Sequence, residues 1–215
     1  MSEYNVILLS HEITKGMKSF GSKCLLPIRI NQKTDFLLNH QINSLINNIE
    51  QIKKLIIVLG FDFEKIRKKI NFPKCTEIVY NEEYSRYGQS YALNLGLNHI
   101  DNEYPTLVLS SGIVWKIPIK KTIKNNVVFV TNKNINFRLG CTITDNNVEY
   151  VFYNLEPYWA ESFIIHPEHL KTFTEITNNN KNMLLFEILN ESFDLCKTES
   201  YNLKYNSVQN IINMK

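Results

Sequence analysis

Hydrophobic positions in the first half of the chain alternate between two kinds of spacing. Short runs rich in Ile, Val and Leu predict buried strands, whereas apolar residues spaced three and four apart predict amphipathic helices. The predicted strands cover residues 5–9, 54–59, 76–80 and 106–109, and the predicted helices cover residues 34–50, 64–70 and 89–99. This alternation favours parallel βαβ units with right-handed crossovers.

The second half has a different pattern, in which strand-like segments follow one another before helical spacing returns. The predicted strands cover residues 126–131, 139–144, 148–153 and 162–166, and the predicted helices cover residues 167–177, 182–192 and 207–214. Asp145-Asn146-Asn147 is typical of a hairpin turn. We therefore predict one α/β domain over residues 1–215. Its sheet is expected to be mostly parallel in residues 1–115 and mixed or antiparallel in residues 116–215.

Composition narrows the functional classes. The chain has 215 residues, of which 44% are hydrophobic and 21% charged, as in a globular protein. No apolar run approaches the roughly 18 residues of a membrane helix, and the N-terminus lacks the features of a signal peptide. The net charge of +3, from 24 basic and 21 acidic residues, is too balanced to indicate nucleic acid binding. We expect neither a membrane nor a nucleic acid as partner.

The number and spacing of the cysteines predict the cellular compartment of the protein. The chain has four, and no two of them form a Cys-x-x-Cys pair, so a zinc site is not expected. Widely spaced single cysteines are typical of free thiols in a reducing environment. We therefore expect a cytoplasmic protein.

Three loops are the expected location of function, because ligands of open parallel sheets bind beyond the carboxyl ends of the strands. These loops cover residues 10–23, 81–90 and 110–116. In these loops and elsewhere along the chain, short segments occur in a fixed order: Lys23-Cys24-Leu25-Leu26-Pro27-Ile28, His40-Gln41-Ile42, Asn81-Glu82-Glu83-Tyr84, Ser90-x-Ala92-Leu93, Leu107-Val108-Leu109-Ser110 and, near the C-terminus, Tyr205-Asn206-Ser207-Val208-Gln209-Asn210. Together these segments resemble the nucleotidyltransferases that act on sugar phosphates, choline phosphate and the molybdenum cofactor. The likeness is greatest to the phosphocholine cytidylyltransferase-like branch.

The resemblance implies a three-layer Rossmann-like fold of the GT-A-like type. Residues 1–115 would form its nucleotide-binding half and residues 116–215 its acceptor half. In this family a phosphate oxygen of the acceptor attacks the α-phosphorus of a nucleoside triphosphate, and pyrophosphate leaves. A Gly-x-Gly-x-Arg loop and a lysine hold the phosphates, while two Asp residues hold Mg²⁺.

The chain departs from this pattern at the positions that carry the chemistry. The two loop glycines fall on Glu12 and Thr14, and the Arg falls on Gly16. The metal-binding Asp positions fall on Gly112 and Asn206, of which neither is a carboxylate. Side chains in place of the glycines obstruct phosphate approach, and Glu12 adds repulsion. The resemblance therefore implies that nucleotidyl transfer is lost or weakened and that no catalytic residue is retained. It implies Mg²⁺ only if the protein is active.

The remaining candidate residues are polar and lie in or near the same loops. For phosphate binding they are Lys15, Lys18 and Lys23. For base or acceptor binding they are Asn81, Gln89, Ser90 and Glu161. His11 is a further candidate, as a replacement acid or phosphate contact. The structural alternatives are an exposed loop lysine for Lys23 and helix capping for the polar residues near position 89.

Three functions stay open. The first is a protein that keeps the fold but not the reaction and acts as a binding, regulatory or structural component. Its partner would be a nucleotide, a phosphorylated small molecule, a protein or another copy of the chain. The second is an active, atypical nucleotidyltransferase that joins a nucleoside triphosphate to a phosphorylated sugar or choline-like acceptor. The third is a nucleotide-sugar glycosyltransferase, which is disfavoured because residues 110–112 lack an Asp-x-Asp motif.

Overall fold

The computed structural model describes residues 3–13, 19, 21–30, 32–119, 123–132, 138–203 and 208–210. The strands are β1 (Glu3–Ser10), β2 (Pro27–Ile30), β3 (Lys33–Phe36), β4 (Gln51–Leu59), β5 (Thr76–Tyr80), β6 (Thr106–Ser110), β7 (Ile113–Trp115), β8 (Asn126–Thr131), β9 (Leu139–Thr144), β10 (Asn147–Tyr153), β11 (Tyr158–Ile165), β12 (Thr198–Asn202) and β13 (Val208–Asn210). The α-helices are α1 (Leu37–Asn48), α2 (Phe63–Lys69), α3 (Gln89–Leu97), α4 (Leu170–Asn179) and α5 (Leu185–Phe193). Short 3₁₀ helices cover Lys23–Leu25 and Pro167–His169.

Nine of the described strands form one mixed sheet. Their order is β5-β4-β1-β6-β11-β8-β12-β10-β9, with a further pairing between β11 and β9. The first four strands are parallel, whereas β11 runs antiparallel to both β6 and β8. The predicted α/β class, with a parallel front half and a mixed back half, is confirmed.

Helices cover both faces of this sheet, which makes three layers. Alternate residues of β1 point to opposite sides: Val6 and Leu8 pack in one hydrophobic cluster with α1 and α2, and Ile7 and Leu9 pack in a second cluster with α3, α4 and α5. Burial on both faces explains why the parallel strands are continuous apolar runs in the sequence rather than alternating ones.

The predicted helix over residues 34–50 begins too early. Lys33–Phe36 is instead strand β3, which pairs with β2 in a separate two-stranded hairpin, and α1 begins at Leu37. Gln32 lies in the turn with a φ of 65°, so the chain reverses direction there. The backbone groups of residues 33–36 are therefore hydrogen-bonded across the hairpin, and the apolar spacing becomes helical only afterwards.

The predicted helix over residues 207–214 is wrong in the part that the structure describes. Val208–Asn210 forms strand β13, antiparallel to β7, and the rest of the predicted helix lies outside the described residues. Strand β12 was not predicted; it pairs in parallel with β8 and fills the back half of the sheet. These pairings join residues far apart along the chain, which local spacing does not encode.

Two further observations concern the cysteines and the length of the helices. All four cysteines are free thiols; Cys24, Cys141 and Cys196 are buried, and Cys75 is half-buried. Within the ranges that the structure describes, no helix is both long and apolar enough to cross a membrane.

Candidate ligand site at the carboxyl edge of the sheet

The parallel strands bring three of the predicted loops to one edge of the sheet. Strands β1, β4, β5 and β6 all end there, because they run in the same direction. The backbone ties neighbouring ends together: the Phe61 N–H donates to the His11 carbonyl at 3.1 Å, and the Asn81 N–H donates to the Leu59 carbonyl at 2.7 Å. The described parts of these loops are therefore held together at this edge by backbone hydrogen bonds.

Lys23 is held inside this edge by its short 3₁₀ helix. The Ser22 hydroxyl accepts from the Cys24 N–H, and the Ser22 N–H donates to the Asp62 carboxylate at 2.9 Å, which fixes the start of the helix. The Lys23 side chain is only 8% exposed, and its Nζ donates to the Ser111 carbonyl oxygen at 3.2 Å. The alternative of an exposed loop lysine is therefore wrong.

The charge of Lys23 is set by burial and by two carboxylates. Burial lowers the pKa of the Lys23 ammonium, while the nearby Glu12 and Glu161 carboxylates act to raise it. Burial also raises the pKa of Glu161, which the Ser110 hydroxyl and Lys23 oppose. Lysine and glutamate thus form a buried electrostatic pair in which each favours the charged form of the other.

Glu161 reaches this position through an irregularity in β11. The register of β11 against β8 shifts between Trp159 and Phe163, and Glu161 has a φ of 48°. A bulge of this kind turns one side chain out of the regular alternation. The Glu161 carboxylate accepts a hydrogen bond from the Ser110 hydroxyl at 2.8 Å, which joins β11 to the end of β6.

Beside Glu161 lies a cavity of about 170 Å³. Its lining combines one carboxylate and two other polar side chains with aromatic rings and leucines: Gln89, Ser110, Leu139, Tyr153, Trp159, Glu161, Leu184, Leu185 and Phe186. This volume is below the roughly 300–1,000 Å³ of sites for drug-sized ligands, so the cavity suits a small organic group.

Gln89 and Ser90 have structural contacts at the start of α3. The Gln89 side-chain oxygen accepts from the Leu185 N–H at 2.9 Å, although Gln89 also lines the cavity. The Ser90 hydroxyl is fully buried and donates to the Thr177 carbonyl at 3.3 Å. Ser90 therefore joins α3 to α4, and neither side chain caps α3 itself, since that helix has no side-chain cap.

Three other polar side chains at the edge are buried and have no hydrogen-bond partner among the described residues. They are Ser10, His11 and Asn81, and Asn81 is 0% exposed. An unpaired buried polar group costs about 1–3 kcal/mol, so such groups mark a place where a ligand or solvent is expected. Burial, the largest effect, lowers the pKa of His11, which favours the neutral imidazole at pH 7. His11 is then unsuited to the role of a cationic phosphate contact.

Of the two positions that the resemblance implies for metal-binding Asp residues, only Gly112 lies among the described residues. Gly112 lies in the turn between β6 and β7 with a φ of 95°, a conformation that favours glycine. Among the residues that the structure describes, no group of three or more His, Cys, Asp and Glu side chains is arranged to hold a metal ion. Asn206, Lys15 and Lys18 lie outside the described residues.

Solved structures define the class of the fold. The CTP:phosphocholine cytidylyltransferase from Streptococcus pneumoniae matches with a TM-score of 0.74 at 15% identity, over 97% of this chain and 93% of that enzyme. The inositol-1-phosphate CTP transferase from T. maritima matches with a TM-score of 0.76 at 12% identity, over 98% and 90%. HddC from Yersinia pseudotuberculosis, complexed with GMP-PN, gives 0.68 at 12%, over 94% and 91%. The chain has the nucleotidyltransferase fold.

Residues 23–155 match a family described as a domain of unknown function, DUF6564, and the chain belongs to that family. No curated protein sequence matches the chain. The family segment includes Lys23, Asn81, Gln89, Ser90 and Tyr153, and it ends before Glu161. The matched region thus contains Lys23 and part of the cavity lining, whereas Glu161 and the lining residues of α5 lie outside it.

Several parts of the site could not have been found from the sequence. The Ser111 carbonyl that accepts from Lys23 is a backbone group, for which no residue type is diagnostic. Tyr153 and Phe186 line the cavity from β10 and α5, and in the sequence they belong to ordinary strand and helix patterns. Only the pairing of distant strands brings them beside Ser110 and Glu161.

Proposed function

We propose that the protein binds a phosphorylated small molecule, nucleotides included, at the carboxyl edge of the sheet and does not transfer a nucleotidyl group. It would act as a binding, regulatory or structural component. The observation that carries this proposal is the Lys23 ammonium on the Ser111 carbonyl, adjacent to Gly112. At the position where the resemblance implies a metal-binding Asp, this chain has glycine, with the buried lysine side chain beside it.

The donors around Gly112 do not fit Mg²⁺. This ion requires near-octahedral oxygen ligands and is usually bound through one or two carboxylates. Residues 110–112 offer two hydroxyls and no acid, and the nearby Glu161 carboxylate is already hydrogen-bonded to Ser110 and has a raised pKa. Nucleotidyl transfer depends almost wholly on positioning and on neutralising phosphate charge, so this donor set supports binding without transfer.

The proposed class of ligand follows from the two ends of the site, which are Lys23 and the cavity beside Glu161. Lys23 offers a cation for a phosphate, while Tyr153, Trp159 and Phe186 line the cavity together with Glu161. Aromatic rings beside a carboxylate suit a small organic cation. The similar enzymes are named for phosphocholine and inositol-1-phosphate, which makes these compounds the first to test. In this arrangement residues 1–115 supply the phosphate end and residues 116–215 most of the acceptor cavity.

Calorimetric titration tests the proposal. Phosphocholine, inositol 1-phosphate and each of the four nucleoside triphosphates are titrated in EDTA and again in Mg²⁺. We expect at least one to bind equally well in both buffers. Lys23→Met keeps the length of the side chain but removes a charged hydrogen bond of about 1.5–3 kcal/mol, so affinity should fall at least tenfold.

The matched control is Lys68→Met, because Lys68 is an exposed lysine on α2, away from the edge. It should bind as the wild type does. Binding that requires Mg²⁺, equal affinity of Lys23→Met and wild type, or no binding of any of these compounds would each contradict the proposal.

The second candidate is an active, atypical nucleotidyltransferase. The buried Lys23 and the cavity beside Glu161 support it, because they would supply a phosphate contact and a space for the acceptor. Release of pyrophosphate from a nucleoside triphosphate in the presence of an acceptor distinguishes the two candidates.

The cysteines support a cytoplasmic location. All four are free thiols, the state that a reducing compartment maintains. We propose that the protein acts in the cytoplasm, which fractionation of cells expressing the tagged chain would test.

A further inference from the structure

An open groove lies outside the cavity, between β10 and α5. It has a volume of about 460 Å³, and its floor includes Tyr150, Phe152 and Phe186. Tyr150 and Phe152 are 46% and 45% exposed, and their stacked rings are 5.8 Å apart. The Phe186 ring lies 6.3 Å from Phe152 in an edge-on arrangement. Adjacent aromatic faces thus remain open to solvent, a feature that commonly marks a binding surface.

The rim of the groove is acidic. Glu187 and Glu191 of α5 line it together with Asp194, the residue directly after the helix, and their spacing of four and three residues places them on one side as an acidic stripe. The Glu187 carboxylate accepts from the Leu184 N–H at 2.7 Å and so stabilises the start of the helix. In the described part of the chain, neither Glu191 nor Asp194 forms an ion pair, and no lysine or arginine lines the groove.

The groove is built on a rigid junction. The Asn190 side chain forms two hydrogen bonds with the backbone of Val151: its nitrogen donates to the carbonyl at 3.0 Å, and its oxygen accepts from the N–H at 2.9 Å. On the inner side Val151 and Ile188 are fully buried. Since the two elements are already locked together, a partner would bind without ordering the groove, which lowers the free-energy cost of association.

We infer that this groove binds an arginine-bearing segment of a partner protein. A guanidinium group stacks on aromatic faces and pairs with carboxylates, and here the two features lie side by side. The acidic stripe spans about 10 Å along the helix. An extended peptide with arginine at alternate positions presents three of them on one side over about 13 Å. The charge and dimensions of the groove therefore complement an Arg-x-Arg-x-Arg segment. This groove shares Phe186 with the cavity of the site proposed above, but its ligand is a different one, and its test does not depend on that function.

The probe is the peptide acetyl-Arg-Ala-Arg-Ala-Arg-amide, titrated into the full chain by calorimetry at low ionic strength. The comparison peptide carries citrulline in place of arginine, which keeps the shape and removes the charge. We expect the arginine peptide to bind with a Kd below about 1 mM and the citrulline peptide to bind at least tenfold more weakly.

Two double variants with the same change in charge separate the groove from a general charge effect. Glu191→Gln with Asp194→Asn should weaken binding about tenfold, because both carboxylates face the peptide. Glu50→Gln with Glu103→Gln changes two exposed acids in the connections before β4 and β6 and should leave Kd within twofold. Phe152→Leu keeps an apolar floor but removes a ring, and it should weaken binding several-fold.

Four results would overturn the inference: no binding at about 1 mM peptide, equal binding of the citrulline peptide, equal weakening in the control variant, or self-association that the groove variant abolishes. The last would be tested by sedimentation of the wild type and of the Glu191→Gln, Asp194→Asn variant. If the wild type self-associates and the variant does not, the occupant is a second copy of this chain rather than a separate partner.

Discussion

Glu161 combines an unusual backbone with an unusual side-chain environment. A φ of 48° is uncommon for a residue other than glycine, and such residues concentrate at functional sites. The bulge directs the carboxylate to the Ser110 hydroxyl and to the vicinity of Lys23. The surrounding strands keep the residue in this conformation, although burying its carboxylate is unfavourable.

The raised pKa of Glu161 predicts how stability depends on pH. Burial, its main cause, lifts the pKa above the ordinary value of 4.5, so the folded protein holds this proton more tightly than the unfolded chain does. The resulting stabilisation is full below pH 4.5 and is lost as the pH rises through the raised pKa. Glu161→Gln removes this loss. We expect urea titrations to show that, as the pH rises from 4.5 through the raised pKa, the free energy of unfolding of the wild type falls relative to that of the variant.

The control for this measurement is Glu103→Gln, which changes an exposed acid. Its free energy of unfolding should follow the wild type at every pH. Parallel pH profiles for Glu161→Gln and wild type would show that Glu161 titrates alike in the folded and unfolded states, against the electrostatic account of the site.

The contact of α5 with β10 depends on one side chain to an unusual degree. Asn190 satisfies both backbone groups of Val151, next to the register shift in β10. Asn190→Ala leaves two partly buried backbone groups unpaired. We expect it to lower the free energy of unfolding by about 1–3 kcal/mol in urea titrations.

The comparison variant is Asn102→Ala, in an exposed turn, which should change stability by less than about 0.5 kcal/mol. If Asn190→Ala proves as stable as Asn102→Ala, the junction is held by apolar packing alone. The rigid groove that we infer would then lack its main support.

At the level of elements, the sequence predicted what local spacing determines. The strands β1, β4, β5 and β6 contain continuous apolar runs buried on both faces, and the bounds of each were predicted to within three residues. The hairpin of β2 with β3 was missed, because Lys33–Phe36 has the polar character of an exposed strand and directly precedes apolar helical spacing. Strand β13 was mistaken for helix, because its pairing with β7 spans almost half of the chain.

At the level of the whole molecule, the packed core determines where the loops of the carboxyl edge come together. Parallel strands bring the loops of β1, β5 and β6 together, so the location of the site could be predicted from topology alone. Lys23 and Glu161 could be named as candidates only through the resemblance. Their mutual electrostatic effect, the carbonyl of Ser111 and the aromatic wall depend on contacts between distant segments, which only the folded structure reveals.

One measurement tests the central claim of binding without transfer most directly. The full chain is incubated with each of the four nucleoside triphosphates, Mg²⁺ and either phosphocholine or inositol 1-phosphate, and released pyrophosphate is quantified. The pneumococcal cytidylyltransferase serves as the positive control. We predict no release above the rate without protein, because Gly112 and its neighbours offer no carboxylate for the metal. Release that requires both acceptor and chain, and that Lys23→Met abolishes, would contradict the account and establish an active nucleotidyltransferase.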